Sequence, residues 1–147
     1  MESNGQRIRR RIVRDLRQAV TSSMNLPTLL CVQNDSALPS AYAALLGVSG
    51  YHVLLARNGG QALAKFRSSR IDAVLVDDSQ RIGASGGEVA AKIKRASPAT
   101  PVILVSSLQT VLEEARNFVD ATLTKSADLE QILAKLKAVL SVQGLAA

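Results

Sequence analysis

Five short apolar runs, separated by segments with helical spacing, constrain this chain more than any other feature. The runs fall at 28–32, 52–56, 71–76, 102–105 and 119–123, each rich in Val, Leu or Ile. That composition suits strands buried on both faces. Between them, Leu38, Ala41, Tyr42, Leu45 and Leu46 share one side of a segment over about 38–48, which stops at Gly47–Gly50. Ala62, Leu63 and Phe66 mark a second helix, and Val89, Ala90 and Ile93 a third. A fourth spans about 111–118, and a fifth carries Leu129, Ile132, Leu133, Leu136, Val139 and Leu140, the clearest amphipathic stripe in the chain.

Strand–helix alternation predicts parallel pairing, right-handed crossovers and helices on both faces. Five units suit a doubly wound α/β sheet of order 2-1-3-4-5, whose ligand crevice lies at the carboxyl ends of strands one and three. The segments SGGE at 85–88 and TVLE at 110–113 fit the capping box, Asp128 with Gln131 is a weaker version, and Gly144 is expected to end the last helix. Asn58-Gly59-Gly60 reads as turn chemistry leading into the second helix.

With 47% apolar residues the chain is an ordinary folding sequence. No fully apolar run is long enough to cross a bilayer, and no signal-peptide block follows the N-terminal arginines. A lone Cys31 excludes an internal disulfide, and a lone His52 excludes the HExxH class. Cys31 is expected to pack as a small hydrophobe, and His52 and Tyr51 to be ordinary residues of the second strand. The expectation is a soluble cytoplasmic protein. Three parts are predicted: a basic helical extension over 1–26, one domain over 27–143 and a short tail over 144–147.

The charge is uneven. Residues 1–26 carry Arg7, Arg9, Arg10, Arg11, Arg14 and Arg17 against Glu2 and Asp15, a net +4, while residues 27–147 carry 12 basic and 10 acidic residues. A nearly balanced domain argues against nucleic-acid binding by it and leaves a basic arm. Ile8, Ile12, Val13, Leu16, Ala19 and Val20 give that arm a helical apolar pattern. Three readings stay open for it: a solvated helix, a contact with nucleic acid or anionic lipid, and a helix–helix dimer contact. Met24 also offers an alternative start for a self-sufficient domain.

The crevice should show its chemistry just after the first and third strands, which read Gln33-Asn34-Asp35 and Asp77-Asp78. Asp77 ends an apolar strand, a position for a metal ligand or a nucleophile. Ser106 follows the fourth strand and Lys125 the fifth. A carboxylate, a hydroxyl and an ammonium at neighbouring strand ends suit a phosphoryl group.

The segments LLCVQND (29–35), GYHVLLARNGGQAL (50–63), DAVLVD (72–77), TPVILVS (100–106) and LTK (123–125) together resemble the receiver domain of two-component response regulators, over about 27–142 of 147 residues. The resemblance implies a flavodoxin-like fold and a phosphorelay function. It makes Asp77 the position that accepts a phosphoryl group from a histidine kinase or phosphotransfer protein. Ser106 matches the switch hydroxyl and Lys125 the invariant lysine. Gln33 and Asn34 stand where such domains carry an acidic, magnesium-binding pair, and Ser79 fills a third metal position. Two neutral amides should weaken Mg²⁺ binding sharply, because this ion favours anionic oxygens. Asp35 and Asp78, next door, are expected to face other directions. Thr122 replaces the aromatic switch residue, Ser126 replaces the proline after the lysine, and Gln80-Arg81 replaces the usual Met-Pro in a loop one residue longer.

Two functions follow: a phosphorelay module modified on Asp77, or a phosphorylation-independent pseudo-receiver acting as an interaction scaffold. Neither is an enzyme. The glycines of 83–87 lack the G-x-x-x-x-G-K pattern and follow the third strand, so a nucleotide-using enzyme is disfavoured. Output is expected through a docked protein or a homodimer, on the face formed by residues 108–140, which holds the fourth helix, fifth strand and fifth helix of the domain.

Overall fold

The computed structural model describes residues 3–24, 26–33, 41–78 and 86–142. In chain order the elements are α1 (Asn4–Met24), β1 (Thr28–Gln33), α2 (Ala41–Val48), β2 (His52–Ala56), α3 (Gly59–Ser68), β3 (Ala73–Asp77), α4 (Gly86–Ala96), β4 (Val102–Ser106), α5 (Gln109–Ala115), β5 (Ala121–Thr124) and α6 (Leu129–Val142). All four strand pairs are parallel and the order is β2-β1-β3-β4-β5. This is the doubly wound topology expected from the alternation.

Strict alternation along the strands builds two cores. Leu29, Cys31, Leu75, Ile103 and Val105 point to one face, where Leu46 of α2 and Ile132, Leu136, Val139 and Leu140 of α6 cover them. Leu30, Val32, Val74, Val76, Val102 and Leu104 point to the other, beneath Ala62 of α3, Val89, Ala90 and Ile93 of α4, and Ala115 of α5. Cys31 is closed in the first core, and burial pushes its thiol up to about 12. His52 is exposed.

At the amino ends of the strands, carboxylates replace missing ladder partners. Asp72 Oδ2 accepts from the Thr28 N–H at 2.8 Å, and Asp120 Oδ2 accepts from the Val102 N–H at 2.8 Å and from Lys94 Nζ at 2.9 Å.

Several local expectations are corrected. Leu46 is closed, as expected, but Leu45 is 44% exposed and Ala43, outside the expected stripe, turns inward. Helix α2 is apolar nearly all round, so its pattern does not fix a face. Thr110 is not a cap: α5 already begins at Gln109, with extended Leu108 at its start and no side-chain cap bond. The Asp128–Gln131 pair, the weaker match in sequence, does form the reciprocal box, with both bonds at 2.9 Å. Asn58 caps α3 by accepting from the Gln61 N–H at 2.8 Å. Gly50 closes the turn after α2 with φ 101°, a conformation that favours glycine. Leu38, Ser85 and Gly144 lie outside the described residues.

Candidate functional site

Register places the site. Gln33 pairs with Asp77 and Asp77 with Val105, so the ends of β1, β3 and β4 lie level at the carboxyl edge. Leu75 faces the α2/α6 core, so alternation turns Asp77 to that side and Asp78 to the other.

Asp77 meets Lys125. The ammonium lies 3.3 Å from Asp77 Oδ1, with both side chains partly exposed, 35% for Lys125 and 26% for Asp77. The contact is an ion pair without hydrogen-bond geometry. Oδ1 is buried and has no hydrogen-bond partner among the described residues. The oxygen is therefore compensated by the charge of the ammonium rather than by a hydrogen bond.

Ser106 is turned to the opposite side of the sheet. Its hydroxyl, wholly buried, donates to Asp78 Oδ2 at 2.9 Å and accepts from the Leu108 N–H at 3.1 Å. Asp78 is 1% exposed, and its Oδ1 accepts from the Gly86 N–H, the first residue of α4, at 2.9 Å. Gly86 has no room for a side chain: a Cβ there would lie 2.7 Å from the Asp78 Cα and Cβ. A buried carboxylate without such partners would be costly, and here two donors satisfy it.

Of the three side chains expected to converge, the structure thus brings Asp77 and Lys125 together and engages Ser106 with Asp78. Thr122 is half-buried on β5, opposite Leu104 in register. Asn34, Asp35 and Ser79 lie outside the described residues. The role of Asp78 was not legible in the sequence, because it follows from the register of β3 against β4. With Asp77 opposite Val105, the next residues on the two strands, Asp78 and Ser106, must fall side by side on one face.

Among the described residues no group of three His, Cys, Asp or Glu could hold a metal ion. The described donors at the crevice are one carboxylate, Asp77, and one amide, Gln33. Only one of these two donors is anionic, so the described residues by themselves would hold Mg²⁺ weakly, with water and phosphate oxygens completing its shell.

The family model of the response regulator receiver domain matches residues 29–137. The chain belongs to this family. Among solved receiver domains, it is similar to a CheY-like receiver domain protein from Methanospirillum hungatei, with 25% identity and a TM-score of 0.69 over 81% of this chain and 97% of that one. It is also similar to the response regulator TrrA from Thermotoga maritima, solved in complex with Mg²⁺-BeF, with 27% identity and a TM-score of 0.66 over 78% and 99% of the two chains. Among curated proteins it resembles the sensory transduction protein RegX3 of Mycolicibacterium smegmatis, 29% identical over 118 residues, 78% of this chain and 51% of that protein. The transcriptional regulatory protein ZraR of Klebsiella oxytoca is 33% identical over 116 residues, 77% of this chain and 26% of that protein. The receiver therefore spans about half the length of RegX3 and about a quarter of ZraR. It is a receiver domain of the two-component signalling type, with a flavodoxin-like sheet.

Proposed function

We propose that this receiver is a phosphorelay module, a signalling protein of the cytoplasm and not an enzyme, that accepts a phosphoryl group on Asp77. The observation that carries this reading is the 3.3 Å approach of Lys125 to Asp77 Oδ1 at the carboxyl edge of the sheet. The donor is a phosphohistidine on a kinase or phosphotransfer protein. An Asp77 oxygen attacks phosphorus, the P–N bond breaks, and the imidazole leaves while an acyl phosphate forms. Lys125 offsets the charge on the peripheral phosphoryl oxygens. No step is assigned to Mg²⁺: the complex solved for TrrA contains it, whereas Gln33 here is neutral, and Asn34 and Ser79 are proposed only as degenerate positions.

Ser106 reaches a phosphoryl oxygen only by leaving Asp78. A hydrogen bond to a charged group contributes about 1.5–3 kcal/mol, so phosphate must offset that much before the hydroxyl moves. Phosphorylation shifts the equilibrium only by its differential binding to the two states. Thr122 offers no ring to follow the hydroxyl. Output passes through the α5–β5–α6 face to a partner protein or a second copy.

A second reading, a phosphorylation-independent scaffold, is favoured by one observation: the Ser106 hydroxyl already has a buried acceptor in Asp78. Incubation with acetyl phosphate and Mg²⁺ followed by intact-mass measurement separates the two. The relay reading expects a gain of one phosphoryl group in the parent and none in Asp77→Asn. No gain in either discards the relay reading and leaves the scaffold.

A further inference from the structure

Helix α1 carries an apolar stripe that the sheet domain leaves unused. Ile8, Ile12 and Leu16 recur at every fourth position and so share a face, with Val13 at its margin. They are 55%, 53%, 61% and 47% exposed, whereas the Ile, Val and Leu side chains of the strands β1, β3 and β4 are almost all closed. Arg7, Arg10 and Arg14 lie on the opposite side and Arg11 beside the stripe, all exposed. Arg9 projects near the apolar face, where its long stem can run along apolar surface and carry the guanidinium outward. Asp15 is the one acidic residue of the helix.

We propose that α1 is an in-plane anchor that lies on an anionic lipid bilayer, with the stripe sunk below the headgroups and the arginines among the phosphates. Three occupants compete for this helix, and the pattern discriminates among them. A second copy of α1 would cover the stripe but set two arginine-rich helices side by side. A nucleic acid would neutralise the arginines and leave Ile8, Ile12, Val13 and Leu16 in water. An anionic bilayer takes up both features, and a strongly basic face opposite an apolar one is the pattern of helices that lie in the interface. Twenty-one residues give a rod about 30 Å long. No described helix is long and apolar enough to cross a membrane, so the contact is with its surface.

The test uses the whole chain and needs no phosphorylation, so it stands apart from the relay reading. The sequence contains no Trp, so Val13→Trp places a single reporter at the stripe. With vesicles of phosphatidylcholine and phosphatidylglycerol, the protein is expected to co-sediment and the tryptophan emission to shift to shorter wavelength. Vesicles of phosphatidylcholine alone should give neither. Arg14→Gln should weaken binding about fivefold, since each cation near such a surface contributes about 1 kcal/mol. Ile12→Ser with Leu16→Ser should abolish binding while the unfolding of the sheet domain stays unchanged. Absence of binding to the mixed vesicles overturns the proposal. So does a serine pair that binds like the parent with an unshifted tryptophan, which would mark the arm as a general polyanion contact, duplex DNA included. Dimerisation in light scattering that the serine pair removes, without vesicle binding, overturns it in favour of a second copy.

Discussion

The Ser106 hydroxyl donates to Asp78 Oδ2 across 2.9 Å, in a place where neither group meets solvent. The residue that follows the proposed acceptor is thus a second carboxylate, on the other face of the sheet, and it holds the hydroxyl that the relay reading needs. Stability and switching therefore meet in one bond.

Asp78→Ala would strand the Ser106 hydroxyl and the Gly86 N–H. Each buried polar group left unpaired costs about 1–3 kcal/mol. The variant is expected to lose about 2–4 kcal/mol in urea unfolding, and Asp78→Asn, which keeps an acceptor, less. If phosphorylation operates, acetyl phosphate should label Asp78→Asn at least as readily as the parent.

Gly86→Ala tests the close approach from the other side. Its Cβ would press on the Asp78 backbone at 2.7 Å, so α4 must shift. A loss of about 1–3 kcal/mol by thermal or urea unfolding is expected, typical of overpacking.

Lys125→Ala separates chemistry from stability. The Asp77–Lys125 pair is partly exposed, and such pairs contribute about 0–1 kcal/mol. Unfolding should change by no more than about 1 kcal/mol. Labelling by acetyl phosphate should fall at least about tenfold, because the ammonium acts on the transferring group.

Gln33→Asp adds a carboxylate level with Asp77 in the register. Mg²⁺ affinity should rise at least about tenfold, read by titration followed by NMR. An unchanged titration would place the ion's determinants elsewhere.

Burial raises the Cys31 thiol from 9.0 to about 12. The folded state holds its proton where the unfolded state has lost it, so this contribution is intact below pH 9 and is lost as the pH rises towards 12. The unfolding free energy should decline over that window, and Cys31→Ala should decline less. At neutral pH the native thiol should not react with a disulfide reagent until the protein is unfolded.

The fold was legible because strands buried on both faces leave continuous Val, Leu and Ile runs. The stripe of α6 was equally plain. Boundaries moved where a longer-range bond decided them: β3 extends through Asp77, and α5 begins early, with the Leu108 N–H taken by Ser106. The face of α2 was illegible because eight mostly apolar residues have no single preferred side. Asp77 and Lys125 stood out at their strand ends. Asp78 did not, because its meaning lies in the register between β3 and β4, which no local pattern announces.

Ser106 also touches the start of α5, through Leu108, while its partner Asp78 touches the start of α4, through Gly86. The leading turns of two helices thus hang from one hydrogen-bonded pair, α5 from Ser106 Oγ and α4 from Asp78 Oδ1. Were the Ser106 hydroxyl drawn away, as the relay reading asks, the start of α5 would lose its acceptor while α4 kept its own on Asp78 Oδ1, so the disturbance would fall on one helix and spare the other.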